Sequence, residues 1–372
     1  MKKIRPSIIE IMMENASCNM NCKYCFGQFD DGINKHTNKI PEFNPKILDE
    51  KLADIDEDYN GDLKFWGGEP LLHFDILKRM IEYAKNKFKK AKLLVLTNGL
   101  LLSEDKSDFF IKNGVIVTIS HDGYGQPNRG IDPLDFDKVI NSIRKLKQAD
   151  LFGGFHIVIN KYSDELDKQF EYFRKRSKQI GFRMDISGSP INITDEKTKI
   201  FQLRNEQYNK WIEYELLLAA ERIKPDPEVG LAIGQEVSFS LLNLILGAKP
   251  NILCAAFNGR SVGLSGKIYR CVQDCERRSG IGDDHLKQAN ELELLPECYQ
   301  CEFRYACCGG CPLNSNKERK INCERTKQSF KFTKEFIENT PGLFADLFDY
   351  KFLSGKVKCI SSDDVIITSL ER

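Results

Sequence analysis

Residues 18–25, CNMNCKYC, set three thiols, Cys18, Cys22 and Cys25, in a Cys-x3-Cys-x2-Cys spacing. Thiolates this close together read as metal ligands. Three of them can hold three irons of a cubane iron–sulfur cluster. The fourth iron then stays open to a small molecule, the logic that separates catalytic from structural metal sites. Half of a zinc site is the competing reading of these three residues taken alone. About 42 residues on stands Gly67-Gly68-Glu69-Pro70. Its glycines let the backbone approach a ligand closely, and Glu69 can pair with an ammonium. The chain has thirteen cysteines: three in 18–25, nine in 254–323, and Cys359 alone near the end. An odd, clustered set in a reducing compartment points to metal binding at two places rather than to a disulfide scaffold.

These residues need elements to position them. Apolar, β-branched runs predict strands at 4–11, 62–66, 92–96, 115–119, 155–160 and 182–187. Helical spacing falls between them, at 45–56, 73–88, 103–113, 135–146 and about 163–180. Such alternation predicts an α/β fold with a parallel sheet, an open sheet or a partial barrel. Ligands then belong at the C-terminal strand ends. Cys18–Cys25 follow the first expected strand, Gly67–Pro70 the second, Asn98–Gly99 the third and Ser120–Gly123 the fourth. Motifs distant in sequence would meet on one rim. The expected organisation is a barrel over 1–195, a helical bridge over 196–250, a cysteine-rich domain over 251–330, and a helix with a hairpin-like tail over 331–372. Within the bridge, helices are expected at 196–223 and about 236–247.

Composition removes several function classes. The 55 basic and 54 acidic residues nearly cancel, so no charge excess points to nucleic acid. Glu10 and Glu14 interrupt the apolar start, which therefore does not read as a signal peptide. No apolar run reaches the length of a membrane span, about 20 residues. The expected location is the cytoplasm.

The first cysteine motif, with Tyr24 before its last cysteine, and the GGEP turn together resemble the radical S-adenosylmethionine (SAM) enzymes. The resemblance implies a partial (β/α)6 TIM-like barrel. It implies a SAM-binding 4Fe-4S cluster on Cys18, Cys22 and Cys25. It also implies SAM contacts from Tyr24, Gly67, Gly68, Glu69, Pro70, Asn98, Ser120, Asp122 and Arg129. Ser120 and Arg129 would approach the methionine carboxylate, whereas Asp122 equally reads as an Asp-Gly turn. The family's usual histidine is missing here, and Gln126–Pro127–Asn128 fills the space.

Residues 254–323 resemble the SPASM extension of that family, a C-terminal cysteine-rich iron–sulfur domain. Cys254, eleven residues, Gly266, four residues and Cys271 come first. Cys298-x2-Cys301-x5-Cys307-x3-Cys311 and Cys323 follow. The resemblance implies two auxiliary 4Fe-4S clusters. Cys298, Cys301, Cys307 and Cys323 would hold the outer one, and Cys254, Cys271 and Cys311 the inner one. Cys275, Cys308 or an open iron would complete the inner site. A zinc ribbon is the competing reading.

By resemblance, a 5′-deoxyadenosyl radical abstracts hydrogen from an unactivated carbon of a precursor peptide or protein. A flavodoxin- or ferredoxin-type donor supplies the electron. The leading expectation is a peptide maturase that makes a thioether or carbon–carbon crosslink. The runner-up is an anaerobic sulfatase-maturating enzyme. Val272 stands where that family has Asp, and Gly27 where it has Tyr, and both count against it. A non-catalytic zinc-binding or electron-transfer protein is the reading from another class.

Overall fold

The structure is a computed structural model. It describes residues 3–6, 8–14, 17–25, 40–190, 203–233, 259–269, 295–303, 307, 316–343 and 345–346. Cys254, Cys271, Cys275, Cys308, Cys311 and Cys359 lie outside these residues, as do the expected 236–247 helix and the tail hairpin. The chain divides into two compact units, Met1–Ile157 with Ala255–Glu291, and Val158–Cys254 with Leu292–Arg372.

The first unit is built on a mostly parallel sheet. Its strands are β1 (Ile8–Met12), β2 (Asp62–Trp66), β3 (Lys92–Thr97), β4 (Val115–Ser120) and β5 (Phe152–Ile159), with β8 (Gly259–Gly263) and β9 (Ile268–Tyr269). They lie in the order β5-β4-β3-β2-β1-β8-β9. Only the β8–β9 pair is antiparallel among the described pairings of this unit. Between the strands run α1 (Pro45–Lys51), α2 (Phe74–Lys87), α3 (Glu104–Asn113) and α4 (Asp137–Gln148).

Period-two alternation gives the sheet two different faces. Ile9, Ile11, Phe65, Val95, Val117 and Ile157 are fully buried on one of them. Leu77, Met80 and Ile81 from the apolar stripe of α2 are equally buried. Each such side chain is worth about 1.5–3 kcal/mol. The alternate positions carry Glu10, Lys64, Ser120, His156 and Ser261.

β8 and β9 were not legible as strands. GRSVG at 259–263 holds two glycines and one apolar side chain, a weak strand signal. It is a strand because β1 offers it a full parallel ladder, Ile8↔Gly259 through Met12↔Gly263.

In the second unit, β6 (Met184–Pro190) pairs in parallel with β7 (Val229–Ile233). The helices are α5 (Leu166–Ile180), α6 (Asn205–Ala219) and α7 (Asn316–Asn339). Trp211 of α6 is fully buried and donates from Nε1 to the Asp164 carbonyl at 2.6 Å. The buried Asp164 carboxylate accepts from the Arg204 backbone N–H at 2.8 Å and from its NH2 at 2.6 Å. That pair pins the start of α6 beside the start of α5. PDPEVG at 225–230, which reads as a helix breaker, turns on Asp226 and enters β7: the Asp226 carboxylate accepts from the backbone N–H groups of Glu228 and Val229, both at 2.9 Å.

Candidate functional site

β1 ends at Met12, and the chain then runs toward Cys18 between two neighbours. On one side the Met13 N–H donates to the Trp66 carbonyl at 2.9 Å, and the Glu69 N–H donates to the Ser17 carbonyl at 2.9 Å. Gly67 makes the approach feasible: its φ is +120°, and a Cβ there would stand 2.3 Å from the Met13 carbonyl oxygen. On the other side the Glu14 carboxylate accepts from Ser265 N at 2.7 Å, Ser265 Oγ at 2.7 Å and Tyr269 Oη at 2.5 Å. The cysteine loop is thus placed by the GGEP turn and by the β8–β9 hairpin.

Glu69 is 1 % exposed. Its Oε1 accepts from the Leu71 N–H at 3.0 Å and from Thr97 Oγ1 at 2.6 Å, and its Oε2 from the Asn98 N–H at 2.7 Å. The carboxylate therefore caps the 3-10 turn that begins at Pro70 and ties it to the end of β3. Burial pushes its carboxyl pKa up, against the pull of these three donors. The Asn98 side chain donates from Nδ2 to Asn19 Oδ1 at 2.7 Å and lies 3.8 Å from Cys18 Sγ.

Beyond β4, the 123–129 turn meets the same loop. The Lys23 N–H donates to the Asn128 carbonyl at 3.0 Å. Tyr24 Oη donates to Asp122 Oδ2, and Arg129 NH1 donates to Tyr24 Oη at 2.9 Å. Arg129 NH1 also stands 3.6 Å from Asp122 Oδ1. Burial works against the Arg129 charge, but Tyr24 and Asp122 hold its guanidinium well above its usual range. Its Nε is buried without a hydrogen-bond partner. Cys22 is pushed up to about 11 by burial, and Cys18 rises for the same reason. Such thiols keep their protons until a metal displaces them.

The structure therefore brings Cys18, Cys22, Tyr24, Gly67, Glu69, Asn98, Asp122 and Arg129 into one bonded rim. Gly68 and Pro70 continue the GGEP turn, and Cys25 closes its own loop, donating from N–H to the Cys22 carbonyl at 3.0 Å. Ser120 ends β4 in register with His156. Sequence reading passed over the residues that hold this rim. The His121 ring bonds Asp132 from Nε2 at 2.9 Å and takes the Gly123 N–H on Nδ1 at 2.9 Å. Gln126 accepts from the Asp122 N–H and donates to the Ile131 carbonyl. It locks the turn in the stretch that lacks the resembled family's usual histidine.

In the second unit, Cys298, Cys301, Cys307 and Cys323 line one cavity, with Phe303, Phe330 and Lys327 around them. Cys298 sits on a 3-10 turn and Cys323 on α7. The negative charge of Cys323 and Cys301 as thiolates raises the pKa of the Lys327 ammonium at the edge. Among the described residues no three His, Cys, Asp or Glu side chains meet at the spacing of a single metal ion. A cubane gives each thiolate its own iron, so its ligands stand further apart.

Residues 16–177 match the Radical SAM superfamily profile. By this match and by the relatives that follow, the chain is similar to radical SAM enzymes. It is 24% identical over 340 residues to the radical SAM cyclopropyl synthase TigE of Paramaledivibacter caminithermalis, covering 82% of this chain and 67% of that one. It is also 24% identical over 366 residues to the serine-type anaerobic sulfatase-maturating enzyme of Bacteroides thetaiotaomicron, covering 83% of each. Among solved structures, anSMEcpe with bound AdoMet and a Cp18Cys peptide matches with a TM-score of 0.61 at 20% identity, over 89% of this chain and 98% of that one. Streptococcus suis SuiB bound to SAM matches with a TM-score of 0.57 at 16% identity, over 82% and 73%. The fold of the radical SAM domain is the α/β fold of these structures. Among the described residues no helix is long and apolar enough to cross a membrane.

Proposed function

We propose that this chain is a radical SAM peptide maturase that installs a thioether or carbon–carbon crosslink in a ribosomally made precursor. One observation carries the reading. The Cys18–Cys25 loop, the GGEP turn and the 123–129 turn are bonded into a single buried rim around Arg129, whose Nε is left without a partner. That rim fits a cluster and SAM. Cys18, Cys22 and Cys25 would hold the cluster, with Asn98 aimed at the Cys18 sulfur. Arg129 Nε is suited to a carboxylate oxygen, and the exposed Gly68 backbone is open to a ligand amine. The Glu69 carboxylate, filled by its three donors, serves to fix the turn. When bound, the cluster and SAM supply a hydrogen-abstracting carbon radical.

A peptide is named with anSMEcpe, and a sulfatase in the name of the maturating enzyme. The formylglycine-generating reading keeps equal weight because that relative aligns over 83% of both chains. In either case Cys298, Cys301, Cys307 and Cys323 would hold an outer auxiliary cluster around their shared cavity. Cys254, Cys271 and Cys311 would hold an inner one, completed by Cys275, Cys308 or an open iron. A flavodoxin- or ferredoxin-type protein would supply electrons.

The test is mass spectrometry of a small peptide encoded beside this gene and co-expressed with the enzyme under anaerobic conditions. Loss of two hydrogens, absent with Cys22→Ala, is the expected result, and fragmentation locates the bond. An unchanged peptide alongside continued SAM cleavage overturns the crosslinking reading. Conversion of a sulfatase serine or cysteine to formylglycine would replace it.

A further inference from the structure

The helix-covered face of the first unit's sheet is mostly apolar, with Thr97 and Arg260 as its polar members, while the opposite face carries Glu10 and Lys64. A sheet covered by apolar packing on both faces has nearly continuous apolar strands. Here IIEIM in β1 and DLKFW in β2 each break that run with an ion. Glu10 and Lys64 are direct cross-strand partners, and Glu10 faces Ser261 on its other side. The row Ser261–Glu10–Lys64 therefore crosses three adjacent strands. Glu10 is 7 % exposed, and its Oε2 accepts from Ser261 Oγ at 2.6 Å. Burial pushes its carboxyl up, and Ser261 and the Lys64 charge pull it down. Lys64 is half-buried. Among the described residues its ammonium makes no hydrogen bond and no ion pair. Its charge is nonetheless felt at His156, where burial first and Lys64 second push the imidazole down to about 4. The Lys64 charge thus acts on both Glu10 and His156, and His156 is in register with Ser120 at the rim.

A half-buried ammonium beside a buried carboxylate, with three N–H donors unspent, can take a further acceptor. We propose that Lys64 is a specificity-determining residue that takes a carboxylate of the substrate on the inner face of the sheet. The inference rests on the peptide-maturase reading for its substrate, and the carboxylate is either an acidic side chain or the peptide C-terminus. Lys64 holds the substrate; no proton or electron passes through it.

The experiment uses the reconstituted full-length enzyme and the peptide encoded beside its gene. Lys64→Met raises the peptide KM about tenfold or more, the scale of one charge-assisted hydrogen bond. Formation of 5′-deoxyadenosine without peptide stays at the wild-type rate. An Asp→Asn or Glu→Gln peptide, or a C-terminally amidated one, shows the same loss with wild-type enzyme and none further with Lys64→Met. Which peptide does so separates the two sources. Lys64→Met with an unchanged KM overturns the proposal. So does recovery in the Glu10→Gln, Lys64→Met double variant, because Lys64 then serves only as a counter-ion to Glu10. If the wild type modifies no peptide, the peptide reading fails on its own. Titration with glutarate then decides: saturable binding lost in Lys64→Met supports the carboxylate site, and equal or no binding in both enzymes overturns it.

Discussion

Arg129 lies against Tyr24 and Asp122, and its charge reaches Cys18, Cys22 and Glu69. A buried guanidinium in such company balances the thiolates that metal binding creates. Arg129→Gln is expected to weaken SAM binding about tenfold or more, read by equilibrium dialysis, while the iron content of the purified protein also falls. Glu69 behaves differently. Glu69→Ala strands three donors, each costing about 1–3 kcal/mol when buried, so loss of stability should precede any effect on SAM affinity. His156 makes a pH statement. Its pKa is about 4 in the fold against 6.5 for the free side chain. A depressed histidine favours the fold while neutral, so its contribution is complete above pH 6.5 and is lost as pH falls toward 4. By pH 5.5 the loss is about 1 kcal/mol. Urea midpoints at pH 7.5 and 5.5 should differ more in the wild type than in His156→Gln. In NMR the wild-type His156 ring signal should not move across that range.

At the scale of elements, the decisive contacts join loop to hairpin. Glu14 carries three hydrogen bonds to the β8–β9 hairpin, and a Cβ on Gly263 would stand 2.2 Å from its carboxyl carbon. Glu14→Ala is expected to release that hairpin, seen as new proteolytic cleavage at 264–269, with β2–β4 left protected. Gly67→Ala should fail more severely, because a Cβ would enter the Met13 carbonyl from a left-handed backbone. Helical stripes and strand runs were legible in this part of the chain because period shows where one side meets an apolar core. α2, expected at 73–88, forms over Phe74–Lys87. β8 was not legible: its ladder to β1 comes from a residue separation of about 250, and two of its five residues are glycine. The rim's own braces were hidden for the same reason. His121, Gln126 and Thr97 read as ordinary polar residues until the turn closes on them.

For the whole molecule, the two units carry separate cysteine sets, Cys18–Cys25 in one and the Cys298–Cys323 cavity in the other. The three clusters proposed above would hold about twelve irons per chain. Cys22→Ala is expected to remove about four of them and to abolish 5′-deoxyadenosine formation. Cys301→Ala should also remove about four yet leave peptide-independent SAM cleavage in place. Iron and acid-labile sulfide assays with a cleavage assay read both outcomes. Zinc without sulfide in the wild type would overturn the cluster assignment at either place.

The sequence by itself determined the chemistry on offer. Thiol spacing and the GGEP turn are local patterns, and local patterns survive without any knowledge of the fold. It also determined the βα alternation, because amphipathic period is a property of short segments. Only the tertiary structure decided which polar residues serve the scaffold and which face the interior. The Glu69 carboxylate is filled by β3, Glu14 belongs to a hairpin 250 residues away, and Lys64 stands on the inner face without a bonded partner among the described residues. Each of these depends on long-range strand pairing, which no short stretch of sequence encodes.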